Sequence, residues 1–181
     1  MIYHFVVLSD EVDDFRREID IDAESTFQEL NDILLKTCAY KKDLMTFFFV
    51  CDENWEKIQE IAAVDMKDDS GKEAAPLMEH THLIDVISEE LAKNKTKLLF
   101  EFDTMCERYL YMQLKDVRDH EHLLKPVITL EKGKAPKQEG DIDAMFKDLD
   151  TSDMYGEDSF NEDEFDMDGY QDLDDIESGG Y

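Results

Sequence analysis

The chain reads MTFFFVC from Met45 to Cys51, and this is its longest apolar stretch. A short run of continuously apolar residues is typical of a β-strand that is covered on both faces. A helix that crosses a bilayer needs roughly 20 apolar residues, so this stretch is far too short to span a membrane. We therefore expect the hydrophobic core to be centred on residues 45–51.

Two strands are predicted ahead of this segment. Residues 2–8 are apolar, aromatic and β-branched, and the polar residues 10–14 interrupt them with turn-forming side chains. In residues 15–22 every second position is apolar, with Arg17 as the exception, so one face of the strand is mostly buried. We expect these two strands to form a hairpin.

Two helices are predicted from apolar residues at helical spacing. The first runs from Thr26 to Thr37, with a capping hydroxyl at Ser25 three residues ahead of Gln28. The second is indicated by apolar residues recurring from Leu83 to Leu91.

The remaining segments complete an α+β pattern. Residues 97–103 and 108–115 are predicted strands, joined by a connection of hairpin length, whereas residues 55–64 are compatible with either a strand or a short helix. The resulting order is ββαβ(β)αββ. It predicts an α+β domain in which two helices pack on one face of a mostly antiparallel sheet.

The charge of the chain is unevenly distributed. There are 47 acidic and 19 basic side chains, for a formal net charge of −28. From Glu139 to Tyr181 there are 17 acids and one base, Lys147, so more than half of the net charge lies in less than a quarter of the chain. Gly, Pro and Lys just before this segment are typical of a linker. We predict a domain at residues 1–130, a linker at 131–140 and an acidic tail at 141–181.

The acidic tail carries regularly spaced aromatic residues: Phe146, Tyr155, Phe160, Phe165 and Tyr170. A segment of this composition buries too little apolar area to offset its ordering entropy, so we expect it to be disordered when alone. Aromatics in an acidic background can dock on a basic, grooved partner, and one form of this is DNA mimicry, in which carboxylates replace phosphates. A tail that only solubilises the protein is the alternative, and both interpretations stay open.

The acidity also excludes some partners. Affinity for nucleic acid comes mainly from Lys and Arg, so direct nucleic-acid binding is not expected, and an anionic membrane surface is disfavoured for the same reason. The first ten residues have neither a positive region nor a small-residue cleavage site, so they do not resemble a signal peptide. The sequence therefore predicts a cytoplasmic protein, in which Cys38, Cys51 and Cys106 are reduced thiols.

Neither a metal nor another cofactor is predicted. The pairs His80/His82 and His120/His122 have no Cys or carboxylate at a spacing typical of zinc sites, although the two pairs could meet in space. Residues 164–175 partly match a calcium loop, but Glu164 and Asp175 occupy its first and last positions and no amphipathic helices flank it.

Sequence motifs for nucleotide binding and hydrolysis are absent from the chain. One alternative from the enzyme class is a cleft activity around Asp103, Cys106 and Arg108, where Arg108 would lower the pKa of the thiol. No histidine base accompanies these residues in the sequence. No catalytic residue is assigned, therefore, and Trp55, the single tryptophan, is predicted to lie in the core.

Several short patterns resemble the plasmid-encoded pRiA-type ORF-three-like family, whose members are often passenger proteins of insertion elements. They span about Met1 to Lys137, and they include an aromatic-Arg strand start, a Thr-hydrophobic-x-x-Leu helix, an aromatic central strand and a closing Gly-x-Ala-x-Pro-like segment. In this chain these are Phe15-Arg16-Arg17, Thr26-Phe27-Gln28-Glu29-Leu30, Phe47-Phe48-Phe49 and Gly133-Lys134-Ala135-Pro136, together with Leu83-Ile84-Asp85-Val86 and Phe100-Glu101-Phe102-Asp103.

The chain departs from the family at polar positions. It has Thr104-Met105-Cys106-Glu107-Arg108 where members continue Phe-Gly-Asp-x-x-Trp, and it lacks the family's histidine near Leu44. The resemblance therefore implies an α+β fold and an association with mobile elements, and it implies no established reaction. A non-enzymatic binding or adaptor protein is the function that these observations favour.

Overall fold

The computed structural model describes residues 1–65, 75–87 and 96–140. Within them the chain forms one sheet of seven strands in the order β4-β3-β5-β6-β1-β2-β7, and every neighbouring pair is antiparallel. The predicted α+β class with a mostly antiparallel sheet is confirmed. The strands are β1 (Ile2–Ser9), β2 (Arg16–Asp22), β3 (Phe47–Cys51), β4 (Lys57–Ala62), β5 (Lys97–Asp103), β6 (Arg108–Arg118) and β7 (Val127–Lys132), and the helices are α1 (Phe27–Cys38) and α2 (Leu83–Val86).

Strand β3 is buried along its whole length, as its continuous apolar sequence predicts. Its alternate side chains enter two different clusters, because successive residues of a strand point to opposite faces. Phe48 and Val50 join the main core, the large cluster that also receives side chains from α1 and from the start of α2. Phe47, Phe49 and Cys51 form the outer cluster on the opposite face, together with Ala62 and Leu99.

Helix α1 covers the face of the sheet that carries the main core, which we call the inner face. Its buried side chains, including Phe27, Leu30 and Leu34, follow the helical period and enter the main core. The helix is capped by Thr26, which accepts a hydrogen bond from the backbone of Glu29 while the Glu29 carboxylate accepts one from the backbone of Thr26. This capping box lies one residue later than the predicted pair of Ser25 and Gln28.

The structure assigns strand β4 and helix α2. Residues 57–62, which were compatible with strand or helix, form strand β4 beside β3. Helix α2 covers only Leu83–Val86, and residues 88–91 of the predicted second helix lie outside the described part of the chain. In the described ranges no helix combines the length and the apolar character that crossing a bilayer requires.

Strand β7 extends across the predicted domain boundary at residue 130. The strand runs from Val127 to Lys132 and pairs with β2, and the compact unit that contains the sheet extends from Met1 to Asp141. Five of the six side chains of β7 are exposed, so burial contributes little to holding the strand in place. The strand is held mainly by its pairing with β2.

Arg17, the exception in the predicted apolar face of β2, is a buried structural residue with only 2 % of its surface exposed. Its guanidinium donates hydrogen bonds to the hydroxyl of Thr37 at 2.9 Å and to the carbonyls of Lys132 at 2.5 Å and Gly133 at 3.1 Å. The group also lies 4.5 Å from the ring centre of Phe15. Arg17 therefore ties β2 to the end of α1 and to the end of β7.

Replacing Leu34 by Ala should lower the free energy of unfolding by about 2–5 kcal/mol, because it leaves a cavity between α1 and the sheet. Leu34 is fully buried in the main core, whereas Leu124 is fully exposed, so Leu124→Ala is a matched control. The control should change the stability by no more than about 0.5 kcal/mol. Urea unfolding of both variants measures this, and equal effects would contradict the assignment of α1 as the cover of the inner face.

Candidate functional site

The fold brings together the three residues of the predicted cleft, Asp103, Cys106 and Arg108. Asp103 ends β5 and Arg108 begins β6, and these two residues are paired in the register of the hairpin. The intervening turn is tight, with Glu107 in the left-handed region at φ 49°. We call these three residues the Asp103 cluster.

Asp103 is a hydrogen-bonded structural carboxylate. Its Oδ1 accepts the backbone N–H groups of Met105 at 3.1 Å and Cys106 at 3.2 Å, and its Oδ2 accepts the backbone N–H of Gly140 at 2.8 Å and Arg108 Nη1 at 3.3 Å. Burial by itself raises the pKa of Asp103, but these four donors outweigh it and hold the pKa below the ordinary value of 3.8. The carboxylate is therefore charged at neutral pH, and its two oxygens already have partners.

Arg108 is also fully engaged. Its Nε and Nη2 donate to the two carboxylate oxygens of Glu11 at 2.8 and 2.6 Å, which is the bidentate geometry that suits a guanidinium. Its Nη1 reaches the carbonyl of Gln138 at 3.5 Å as well as Asp103, and the group lies 4.9 Å from the ring centre of Phe102. Hydrogen bonding to Glu11 is the main cause that raises the pKa of Arg108.

The prediction that Arg108 lowers the pKa of the Cys106 thiol is wrong in its net result. Arg108 acts in that direction, but loss of solvent, the negative charge of Asp103 and a hydrogen bond to Asp103 together raise the pKa above the ordinary value of 9.0. A nucleophilic cysteine needs the opposite shift, because the thiolate is the reactive form. The described hydrogen bonds of the cluster include no histidine that could act as a base.

The Asp103 cluster, together with Tyr40 and Lys41, instead holds residues 133–140, which we call the closing segment. Tyr40 Oη donates to the carbonyl of Pro136 at 2.8 Å. The amide of Gln138 pairs with both backbone groups of Lys41, accepting from its N–H at 2.7 Å and donating to its carbonyl at 2.8 Å. Gly140 completes the series through its bond to Asp103. The predicted linker is thus part of the folded unit.

The glycines of the closing segment fit this close packing. At Gly133, where φ is +69°, an added Cβ would lie 2.4 Å from the carbonyl oxygen of Asp14. At Gly140 it would lie 2.7 Å from the sulfur of Cys106 and 3.1 Å from Oδ2 of Asp103. Gly133 therefore needs a residue without a side chain, whereas a side chain at position 140 would force the Cys106 or Asp103 side chain to shift.

The contacts of the Asp103 cluster and of the closing segment are not predictable from the sequence. Glu11 is 97 positions from Arg108, Gln138 is 97 positions from Lys41, and Pro136 is 96 positions from Tyr40. No local spacing links residues that are so far apart in the chain. The Gly and Pro residues of 133–136 are typical of a linker and do not indicate these contacts.

The histidine pairs do not come together as a metal site. His82 Nδ1 lies 2.5 Å from the carbonyl of Glu24, and His122 Nδ1 lies 3.1 Å from Oδ2 of Asp22. His80 is paired with its neighbour Glu79 at 3.1 Å. Across residues 1–65, 75–87 and 96–140, no three His, Cys, Asp or Glu side chains converge as a metal site would require.

The other predicted site residues fall in three places. Cys38 and Cys51 are buried in the two clusters, and burial raises the pKa of the Cys38 thiol to about 12. Trp55 lies at the rim of the outer cluster with φ 69°, its ring 5.1 Å from that of Tyr111. The aromatic residues of the tail, Phe146, Tyr155, Phe160, Phe165 and Tyr170, lie outside the described residues, as does the partial calcium loop at 164–175.

Comparison with known proteins supports the fold alone. No family model and no curated protein matches this chain. Among solved structures, the chain is similar to a crystal structure of a protein of unknown function from Methanosarcina mazei Go1, with a TM-score of 0.58 and 17% sequence identity. The match covers 85% of this chain and 82% of the other. The two proteins therefore share a fold, and the similarity carries no activity with it.

Replacing Asp103 by Asn should lower the free energy of unfolding by about 1–3 kcal/mol near neutral pH, since a charged acceptor of four hydrogen bonds is lost. The pKa of Asp103 is lower in the folded state than in the unfolded state. The charged carboxylate therefore stabilises the fold fully at pH values above its pKa in the unfolded chain. This stabilisation disappears as the pH falls through its pKa in the folded protein, which lies below 3.8. The difference between the two proteins should therefore shrink below about pH 4.

Urea unfolding between neutral pH and about pH 3 measures this difference. Asp13→Asn is the matched control, because Asp13 is exposed in the turn between β1 and β2. A difference between wild type and Asp103→Asn that stays constant over this pH range would contradict the assigned role of the carboxylate.

Cys106 should react slowly with iodoacetamide at neutral pH and faster only as the pH rises above 9.0, because its thiol pKa is raised. Mass spectrometry of the folded protein over a series of pH values locates the modified residue. The same protein unfolded in urea is the control, since there all three thiols should react at an ordinary rate. Rapid modification of Cys106 at neutral pH in the folded protein would instead favour a reactive cysteine.

Proposed function

We propose that this protein is a non-enzymatic, cytoplasmic binding or adaptor protein whose acidic tail, residues 141–181, engages a basic protein partner. The charge distribution is the observation that carries the proposal: 17 acids and a single base lie between Glu139 and Tyr181. This segment has a net charge of −16, so it attracts a basic surface from a distance and accelerates the encounter.

The aromatic residues of the tail provide the second step of the mechanism. Charges on a rim mainly increase the rate of association, whereas buried aromatic anchors slow dissociation. Phe146, Tyr155, Phe160, Phe165 and Tyr170 are the proposed anchors, and the tail is proposed to be disordered until it binds. In the DNA-mimic form of the proposal, the partner is a DNA-binding protein and the carboxylates occupy its phosphate contacts.

The closing segment supports this function because it gives the tail a defined starting point on the domain. Residues 136, 138 and 140 are each hydrogen-bonded to the folded unit, through Tyr40, Lys41 and Asp103. A partner bound to the first part of the tail is thereby kept near the domain, which raises the effective concentration for any second contact.

A cleft activity around Asp103, Cys106 and Arg108 is the alternative function, and the geometry disfavours it. Both charged side chains are satisfied by internal hydrogen bonds, and the thiol pKa is raised rather than lowered. The resemblance to the pRiA-type family, with its link to mobile elements, stays a prediction and names no reaction that would use these residues.

Truncating the chain after Asp141 should abolish binding of the basic partner and leave the stability of the domain unchanged. This end point retains Gly140 and its bond to Asp103, so the truncation spares the contacts of the closing segment. Affinity capture from a lysate of the source organism, at about 0.05 M and about 0.5 M salt, compares the full-length and truncated forms. Retention of the same proteins by both forms, or of none, would favour a tail that only solubilises the protein.

Two variants of the tail separate the roles of its charges and its aromatic residues in binding the captured partner. Replacing the five proposed anchors by Ala should speed dissociation at least about tenfold, with a smaller effect on association. A matched variant with five Asp→Asn changes should slow association and weaken its salt dependence; the positions are Asp148, Asp150, Asp153, Asp166 and Asp168. Surface plasmon resonance measures both rates, and unchanged dissociation in the Ala variant would contradict aromatic docking.

A further inference from the structure

A cavity of about 380 Å³ lies between α1 and the segment that leads into β3, away from the Asp103 cluster. Its volume is within the range of small-molecule sites in proteins, which are typically about 300–1,000 Å³. Six polar side chains contribute to its lining: Gln28, Asn31, Asp32, Lys42, Asp43 and Thr46. A hollow lined by several polar side chains is typical of a ligand-binding site.

The floor of the cavity contains a buried amide that is only partly hydrogen-bonded. Asn31 and Thr46 line the cavity with 4 % and 2 % of their surfaces exposed, and their Oδ1 and Oγ1 atoms are 3.1 Å apart. Among the described residues, Thr46 is the one hydrogen-bonding partner of the Asn31 side chain. An amide has an acceptor oxygen and two N–H donors, so both N–H donors of Asn31 are left for another group.

The amide nitrogen of Asn31 is available to a ligand in the cavity. The side chain lines the cavity, and its N–H groups have no hydrogen-bonding partner in the described part of the chain. A ligand with a hydrogen-bond acceptor could therefore accept from these N–H groups.

The rim of the cavity is charged. Lys42 Nζ donates to Oδ1 of Asp32 at 2.8 Å, and Gln28 Nε2 lies 3.3 Å from the same oxygen. Asp43 also lines the cavity, and the described residues provide it with no ion-pair partner. The rim thus has two carboxylates and one ammonium group, which leaves one negative charge available for a cation.

The remaining wall is apolar. Leu35 is buried, whereas Met45 and Val64 expose 41 % and 54 % of their surfaces. Exposed apolar side chains beside a polar floor are typical of sites in which polar groups fix the orientation of a ligand and apolar contacts provide much of the affinity.

We propose that this cavity binds a small amino-acid-type ligand that has an ammonium group, a carboxylate or amide acceptor, and an apolar side chain. The ammonium group faces Asp43, the acceptor reaches the Asn31 amide, and the apolar side chain packs against Met45 and Val64. This site is independent of the tail and of the proposed adaptor function, so either can fail without the other.

The first test is a titration of the full-length, ¹⁵N-labelled protein with L-leucine. The side-chain NH₂ resonances of Asn31 and Gln28 should shift and saturate, with a dissociation constant of about 1 mM or below. Two probes each lack one charged group of leucine: 4-methylpentanoate has no ammonium group, and 3-methylbutylamine has no carboxylate. Each should bind at least about tenfold more weakly. Absence of saturable shifts with leucine, or equal shifts with all three compounds, would overturn the proposal.

A pair of matched variants tests the charge at the rim without disturbing the core. Asp43→Asn removes the proposed ammonium partner and should weaken the binding of leucine about tenfold. Asp119→Asn removes the same charge from an exposed turn that does not line the cavity and should leave the affinity unchanged. An equal loss of leucine affinity in the two variants would mean that binding depends only on the overall charge of the protein. This result would also overturn the proposal.

Discussion

Packing of α1 against the middle of the sheet is the interaction on which the rest of this structure depends. Phe48 of β3 lies at its centre, with its ring 5.3 Å from that of Phe27 on α1 and 5.0 Å from that of Phe100 on β5. All three side chains are fully buried. The apolar face of an antiparallel sheet has to be buried against another element, which here is α1. The contact of Phe48 with Phe27 positions the helix on the sheet, and its contact with Phe100 joins β3 to β5.

The position of α1 determines how the C-terminal part of the domain is attached. Residues 37–41, at and just beyond the end of the helix, include Thr37, which accepts from Arg17, and also Tyr40 and Lys41, which bind the closing segment. A displaced helix end would therefore weaken the attachment of residues 133–140 to the domain. The start of the acidic tail depends in this way on a helix that precedes it by about a hundred residues.

The two polar groupings of the domain differ in how completely their hydrogen bonds are satisfied. In the Asp103 cluster the carboxylate has four donors and the guanidinium has a bidentate carboxylate partner, so these groups hold chain segments together. In the cavity beside α1 the Asn31 amide has one described partner and Asp43 has none. Unused hydrogen-bonding capacity, rather than the presence of charged residues, is what distinguishes a candidate ligand site from a structural one.

The sequence by itself determined the elements with strong periodicity: the β1–β2 hairpin, α1, the doubly buried β3 and the β5–β6 hairpin, as well as the acidity of the tail. These features depend on local side-chain patterns, which a sequence displays directly. Tertiary structure decided the rest. It decided that the exposed segment 127–132 is a strand, that Arg17 is buried and that residues 133–140 belong to the domain. It also decided that Asp103 is a structural group and that Asn31 faces a cavity. Each of these properties comes from partners distant in the chain, whose meeting no local spacing reveals.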